Sequence, residues 1–183
     1  ALTRGILSRA PLVEIVSTPL ADGGEGTLDA LALRGFEIRE GFAPDAHGVT
    51  RQVRSAWQAD TVVIESAQAC PFIPDSSSED ALLASSSGVG VMINTAIRQG
   101  ASHVLLAVGG TASSDGGKGM LEELGVRFLD TEGKRLQPGG GSLKNLAHIE
   151  LEGLAPKLSG TSIRLLSDVE NPLLGANGAA HVF

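Results

Sequence analysis

The sequence predicts an α/β chain, with parallel or mixed sheets flanked by helices. Three observations predict it. Short apolar runs such as "TVVIES" (61–66) and "SHVLLAV" (102–108) have the length and composition of strands covered on both faces. Runs with helical spacing, such as "GVGVMINTAIRQG" (88–100), alternate with them. Polar, glycine-rich loops follow several strand candidates, which is where open α/β sheets bind ligands.

In chain order, residues 1–9 read as a helix stopped before Pro11, and "LVEIVST" (12–18) reads as a strand. "PLADGGEGT" (19–27) is a loop whose Thr27 is placed to cap a helix "LDALALR". "GFEIREGFA" (35–43) and "VTRQVRSAWQ" (49–58) alternate like antiparallel strands joined by the turn "PDAHG". A long irregular stretch follows "TVVIES", with serine triplets at 76–78 and 85–87. The helix at 88–100 ends at Gly100. After "SHVLLAV" come a polar loop, a helix around 117–124, and a strand in "VRFLDTEGKRL" (126–136) that turns at "TEGK". "SIRLLSDV" (162–169) is another strand, and "AHVF" begins one more.

Composition narrows the class. The chain has 183 residues, 42% of them hydrophobic and 19% charged, which fits a soluble globular fold of one large domain or pieces of two. Its 24 glycines against 3% aromatic residues imply many turns and a core of small aliphatics. A net charge of -7 argues against nucleic acid or an anionic membrane as partner. No apolar run approaches the roughly 20 residues of a spanning helix. The single cysteine, Cys70, excludes an internal disulfide and reads as core filler, which fits a cytoplasmic setting. The four histidines share no metal-ligand spacing. The chain opens inside a helical pattern without an initiator methionine and stops inside a strand pattern, so an incomplete chain is expected.

Three loops carry the candidate chemistry: "ADGGEGT", "GGTASSDGG" and "SDVENPLLG". In the second, Gly109, Gly110, Thr111, Ser113, Gly116 and Gly117 offer close backbone approach, and the helix that follows offers free N–H groups, a combination that favours phosphate. It is not a Walker A loop, because Ala112 replaces the first glycine and Gly119 follows Lys118. Asp115 has three open roles: a ligand of Mg²⁺, a general base, or a helix cap. In the first loop Asp22 and Glu25, with Gly23 and Gly24, can hold a polyhydroxylated substrate or a metal through water; an Asx turn explains them as well. Asp168 ends a strand, with Asn171 held extended by Pro172, and it either faces a ligand or caps its own turn.

Taken together, "PLADGGEGTLDAL", "GGTASSDGGKGMLEELGVRFLD", "PGGGSLKNLAHIEL" and "SDVENPLLGANGAAHVF" resemble the bacterial glycerate kinase family, the two-lobed kind acting on D-glycerate. The resemblance covers nearly the whole chain. It implies a two-lobed fold, with residues 1–45 in an incomplete first lobe and 46–183 mostly in the second. It implies ATP-dependent phosphorylation of a glycerate hydroxyl with Mg²⁺, and a homodimer is one assembly to expect. Members begin ahead of this chain and run on past the position of Phe183, so the resemblance implies roughly the first half of such an enzyme, inactive alone. The family's second loop usually reads Gly-Gly-Ser-Ala-Thr-Asn-Asp-Gly-Gly. Here Thr111, Ser113 and Ser114 keep most hydroxyls but lose one amide.

The mechanism expected from this resemblance places the three loops around a cleft. Asp115 or Asp168 positions Mg²⁺ or takes the hydroxyl proton, Asp22, Glu25 and Asn171 orient substrate, and glycine amides hold phosphate or carboxylate. Asp115→Asn is then expected to abolish turnover without unfolding the protein. The rival readings are a non-catalytic module that binds a small hydroxy acid or acidic sugar, and a structural half-domain whose loops merely turn.

Overall fold

The computed structural model describes residues 2–72, 77–167 and 169–178. Five strands form the main sheet: β1 (Glu37–Pro44), β2 (Thr50–Gln58), β3 (Thr61–Glu65), β4 (His103–Ala107) and, after two short strands, β7 (Ser162–Leu166), in that spatial order. β1 pairs antiparallel with β2, and β2 with β3; β3, β4 and β7 run parallel. The short strands β5 (Arg127–Leu129) and β6 (His148–Glu150) form a separate antiparallel pair. The mixed α/β sheet expected from the sequence is therefore present. The β1–β2 hairpin straddles the lobe boundary expected at 45/46, so strands on both sides of that point belong to one sheet.

The apolar alternation of the strands decides which face each helix covers. Val62, Ile64, Val104 and Leu106 turn to one face and pack with Val89, Met92, Ile93 and Ala96 of α4 (Ser87–Arg98). Ala56 and Val63 turn to the other face and meet Leu28 of α2 (Thr27–Ala32). This is why β3 and β4 read as continuous apolar runs. Cys70 lies in the first cluster, where burial, followed by the nearby charges of Asp115 and Asp45, pushes its thiol up to about 11. Such a thiol is protonated at neutral pH and serves as packing.

Three local expectations are corrected. Residues 12–18 form no strand; Leu12 and Val16 are exposed and no neighbouring strand pairs with this segment among the described residues. Its alternation signals a need for apolar cover, and among the described residues no sheet edge supplies it. Thr27 does not cap α2: Gly26, at φ 91°, is the cap residue, and Thr27 sits in the first turn with its hydroxyl donating to the Gly24 carbonyl. The stretch after β3 contains a helix, α3 (Ser78–Leu83), begun by a capping box in which Ser77 and Asp80 each accept from the other's backbone N–H. The strand expected at "AHVF" lies outside the described residues.

Helices α4 and α5 (Lys118–Glu123) cross closely because small residues line the contact. A Cβ on Gly90 would come within 2.6 Å of both the Met120 carbonyl oxygen and the Glu123 Cβ. Gly90→Ala is therefore expected to destabilise by about 1–3 kcal/mol through overpacking, although alanine is the better helix former. Urea denaturation checks the sign: a higher midpoint would show that the helices can separate without loss.

Candidate active site

β3, β4 and β7 all end at one edge of the sheet, and two of the three candidate loops start there. The first loop comes from elsewhere in the sequence and packs onto the same edge. The Gly109 N–H donates to the Gly23 carbonyl at 3.4 Å, and the Val108 N–H donates to the Leu166 carbonyl at 3.3 Å. Approach is tight: a Cβ on Gly109 would sit 3.0 Å from the Gly24 Cα, and one on Gly23 would sit 3.2 Å from the Leu166 carbonyl oxygen. The backbones of loops 22–26 and 108–111 and the last residue of β7 thus meet.

The side chains divide differently. Asp22 is exposed and closes an Asx turn by accepting the Gly24 N–H at 3.0 Å; Glu25 is exposed beside it. In the second loop, Thr111 forms an isolated bridge with Pro71, and the Gly110 carbonyl accepts the Phe72 N–H. Ser113 is half-buried, and Gly116 is exposed. Among the described residues, the N–H groups of Ser113, Ser114 and Gly116 meet no protein acceptor. Asn171 donates from its side chain to the Asn177 carbonyl at 3.2 Å, which braces the third loop internally. Asp168 lies outside the described residues.

Asp115 points inward and is only 2% exposed. Its Oδ2 accepts from the Ser86 N–H at 2.8 Å, the Ser86 hydroxyl at 2.9 Å and the Gly119 N–H at 3.0 Å; its Oδ1 accepts from the Gly117 N–H at 3.0 Å. Of the three roles the sequence leaves open, the one these contacts express is the cap. The same contacts occupy the amides at the start of α5, Gly117 of the expected phosphate loop among them. The Gly117 and Gly119 amides are taken by the Asp115 carboxylate, the Lys118 amide by the Asp115 carbonyl, and the Met120 amide by the Ser86 hydroxyl. Lys118 is 1% exposed and donates to Glu122 at 3.0 Å and to the Gln137 carbonyl at 2.8 Å, which ties α5 to the segment after it. Among the described residues, no three His, Cys, Asp or Glu side chains gather to hold a metal ion.

Sequence reasoning missed Glu65. It is 2% exposed at the end of β3, accepts the Leu28 N–H at 2.8 Å through Oε1, and is braced by the Gln68 side-chain amide at 2.9 Å. The available signal was a lone carboxylate closing the apolar run "TVVIE".

The model of the glycerate kinase family matches residues 1–183. The chain belongs to the glycerate kinase family. It is 37% identical to the glycerate 2-kinase of Escherichia coli and 36% identical to the glycerate kinase of Bacillus subtilis, with all of this chain and 49% of each relative covered. A crystal structure from Salmonella typhimurium described as a glycerate kinase 2 superposes with a TM-score of 0.83 at 34% identity, over all of this chain and 50% of that one. The chain therefore spans about half the length of the family members it matches, and over that span it has their mixed α/β fold. No helix among the described residues is long and apolar enough to cross a membrane.

The contacts of Asp115 change what its replacement should do. In Asp115→Asn one oxygen becomes an NH₂ group facing backbone N–H donors. A stability loss of about 2 kcal/mol is expected from the lost charge-assisted bonds. Thermal unfolding checks this: an unchanged midpoint would mean that the carboxylate is not engaged as described.

Proposed function

We propose that the full-length protein containing this chain phosphorylates a hydroxyl of D-glycerate with ATP as donor, in the cytoplasm. Family membership supports the reaction class, and the name of the E. coli relative, glycerate 2-kinase, supports the 2-hydroxyl as acceptor. The observation that carries the placement is the backbone contact between Gly23 and Gly109, which sets the acidic loop beside the amide-bearing loop at the carboxyl ends of the parallel strands.

In this reading the two loops divide the work. Asp22 and Glu25 are exposed acceptors suited to the hydroxyls of glycerate. The amides of Ser113, Ser114 and Gly116, which meet no protein acceptor among the described residues, are donors suited to phosphate oxygens or to the glycerate carboxylate. Phosphoryl transfer requires positioning and charge neutralisation more than reactive side chains, so backbone donors on a rigid frame suffice. Among the described residues no three His, Cys, Asp or Glu side chains gather around a cation. Magnesium enters this reading with the nucleotide, whose phosphates it neutralises, and the contacts of Asp115 favour a part in holding the loop.

The test is product analysis by phosphorus NMR after incubation of the full-length protein with D-glycerate and Mg-ATP; 2-phosphoglycerate is expected, and absence of any phosphoglycerate would end the proposal. Asp22→Asn sharpens it. Asparagine can still accept the Gly24 N–H, so folding should be unaffected while kcat/KM for glycerate falls roughly tenfold or more. Wild-type kinetics in that variant would remove Asp22 from the site.

A further inference from the structure

We propose that Glu65 is a positioning residue that holds the acidic loop 22–26 in register with the second loop, with Ser66 locking the other side of the same joint. The inference rests on the kinase reading for its kinetic consequences, but its structural content stands apart from it.

Glu65 and Ser66 are adjacent, and their side chains reach in different directions. The Glu65 carboxylate accepts the Leu28 N–H at 2.8 Å, near the start of α2. The Ser66 hydroxyl donates to the Ala107 carbonyl at 2.9 Å, at the last residue of β4 before the second loop. Both residues are buried. The carboxylate is held in place by Gln68, whose amide NH₂ donates to Oε2 and whose own oxygen accepts the Arg54 N–H at 3.2 Å. From Leu28 the connection continues to the loop itself. Thr27 donates to the Gly24 carbonyl through its N–H and its hydroxyl, and the Gly24 N–H donates to Asp22. The position of Asp22 is thus fixed through a short hydrogen-bonded path that begins at Glu65.

A helix of six residues cannot hold its own start in place, because nucleation costs more than so few bonds return. α2 lacks a side-chain cap from its own Ncap residue, Gly26. The distant carboxylate of Glu65 takes that place, across 37 residues of sequence. A residue engaged this way alters catalysis only by moving what it holds, and what it holds is the loop assigned to glycerate rather than the loop assigned to phosphate.

The experiment compares the full-length wild type with Glu65→Gln, Glu65→Ala and Gln68→Ala. It reads KM for glycerate and for ATP separately, together with hydrogen exchange at the Gly24 and Leu28 amides. Glu65→Ala is expected to raise the glycerate KM about tenfold or more with the ATP KM unchanged, and to speed exchange at both amides. Glu65→Gln, which keeps one acceptor for Leu28, should recover part of the loss. If Glu65→Ala does not fold, Glu65→Gln and Gln68→Ala carry the same comparison with smaller shifts. Equal changes in both KM values, or unchanged exchange at Leu28, would overturn the proposal. A wild type that phosphorylates no glycerate would end the kinase reading alone, since the exchange measurement still decides whether Glu65 holds the loop.

Discussion

The fold around the site depends on a buried carboxylate that spends its charge on backbone N–H groups. Asp115 lies where the second loop turns into α5, and its two oxygens collect donors from the start of α4 and the start of α5. An isolated carboxylate in that position would be too costly to bury, so the donors have to converge on it or the loop cannot fold inward. Their convergence sets the crossing of α4 and α5, which in turn needs the small residues Gly90 and Gly119 at the contact. The outer surface of loop 109–117 is therefore positioned from beneath, by groups that do not themselves face solvent.

Glu65 repeats the device on the opposite side of the sheet. α2 and α5 have six residues each, and neither has a side-chain cap from its own Ncap residue. Helices this short are marginal without tertiary support. One receives a carboxylate from the end of β3, the other from the loop that precedes it. Both carboxylates lie at the edge where the parallel strands end, so the support for the helices and the placement of the loops come from the same contacts.

The strands and their faces were readable in the sequence because alternation reports burial directly: the runs at 61–66 and 102–108 became the covered parallel strands, and the pair at 35–43 and 49–58 became the hairpin. Residues 12–18 carried the same alternation without becoming a strand, since a pattern states that apolar cover is wanted and not where it comes from. For Asp115 the sequence supplied the residue and its glycine neighbours but left three roles open, and only the direction of the side chain separates them. Glu65 was passed over inside an apolar run for a related reason: its partner, the Leu28 amide, is distant in sequence, and nothing local signals the bond. The pairing of loop 22–26 with loop 108–111 was legible only through the family resemblance, because nothing in either loop's residues specifies the other.

For the proposed substrates, the inward turn of Asp115 and Glu65 also eases a difficulty that the net charge of -7 raises. On the first two loops and the strand end beside them, four carboxylates meet: Asp22, Glu25, Glu65 and Asp115. Were all four exposed, they would repel both glycerate and a nucleotide phosphate at short range. Two of them are instead satisfied by backbone donors below the surface. The other two, Asp22 and Glu25, lie on one loop, while amides that meet no protein acceptor among the described residues lie on the other. Acceptors for hydroxyl protons and donors for phosphate oxygens are thereby separated across a single backbone contact at Gly23 and Gly109. The proposed reaction, which joins a hydroxyl to a phosphoryl group, calls for that division, and neither loop carries a lysine or arginine side chain.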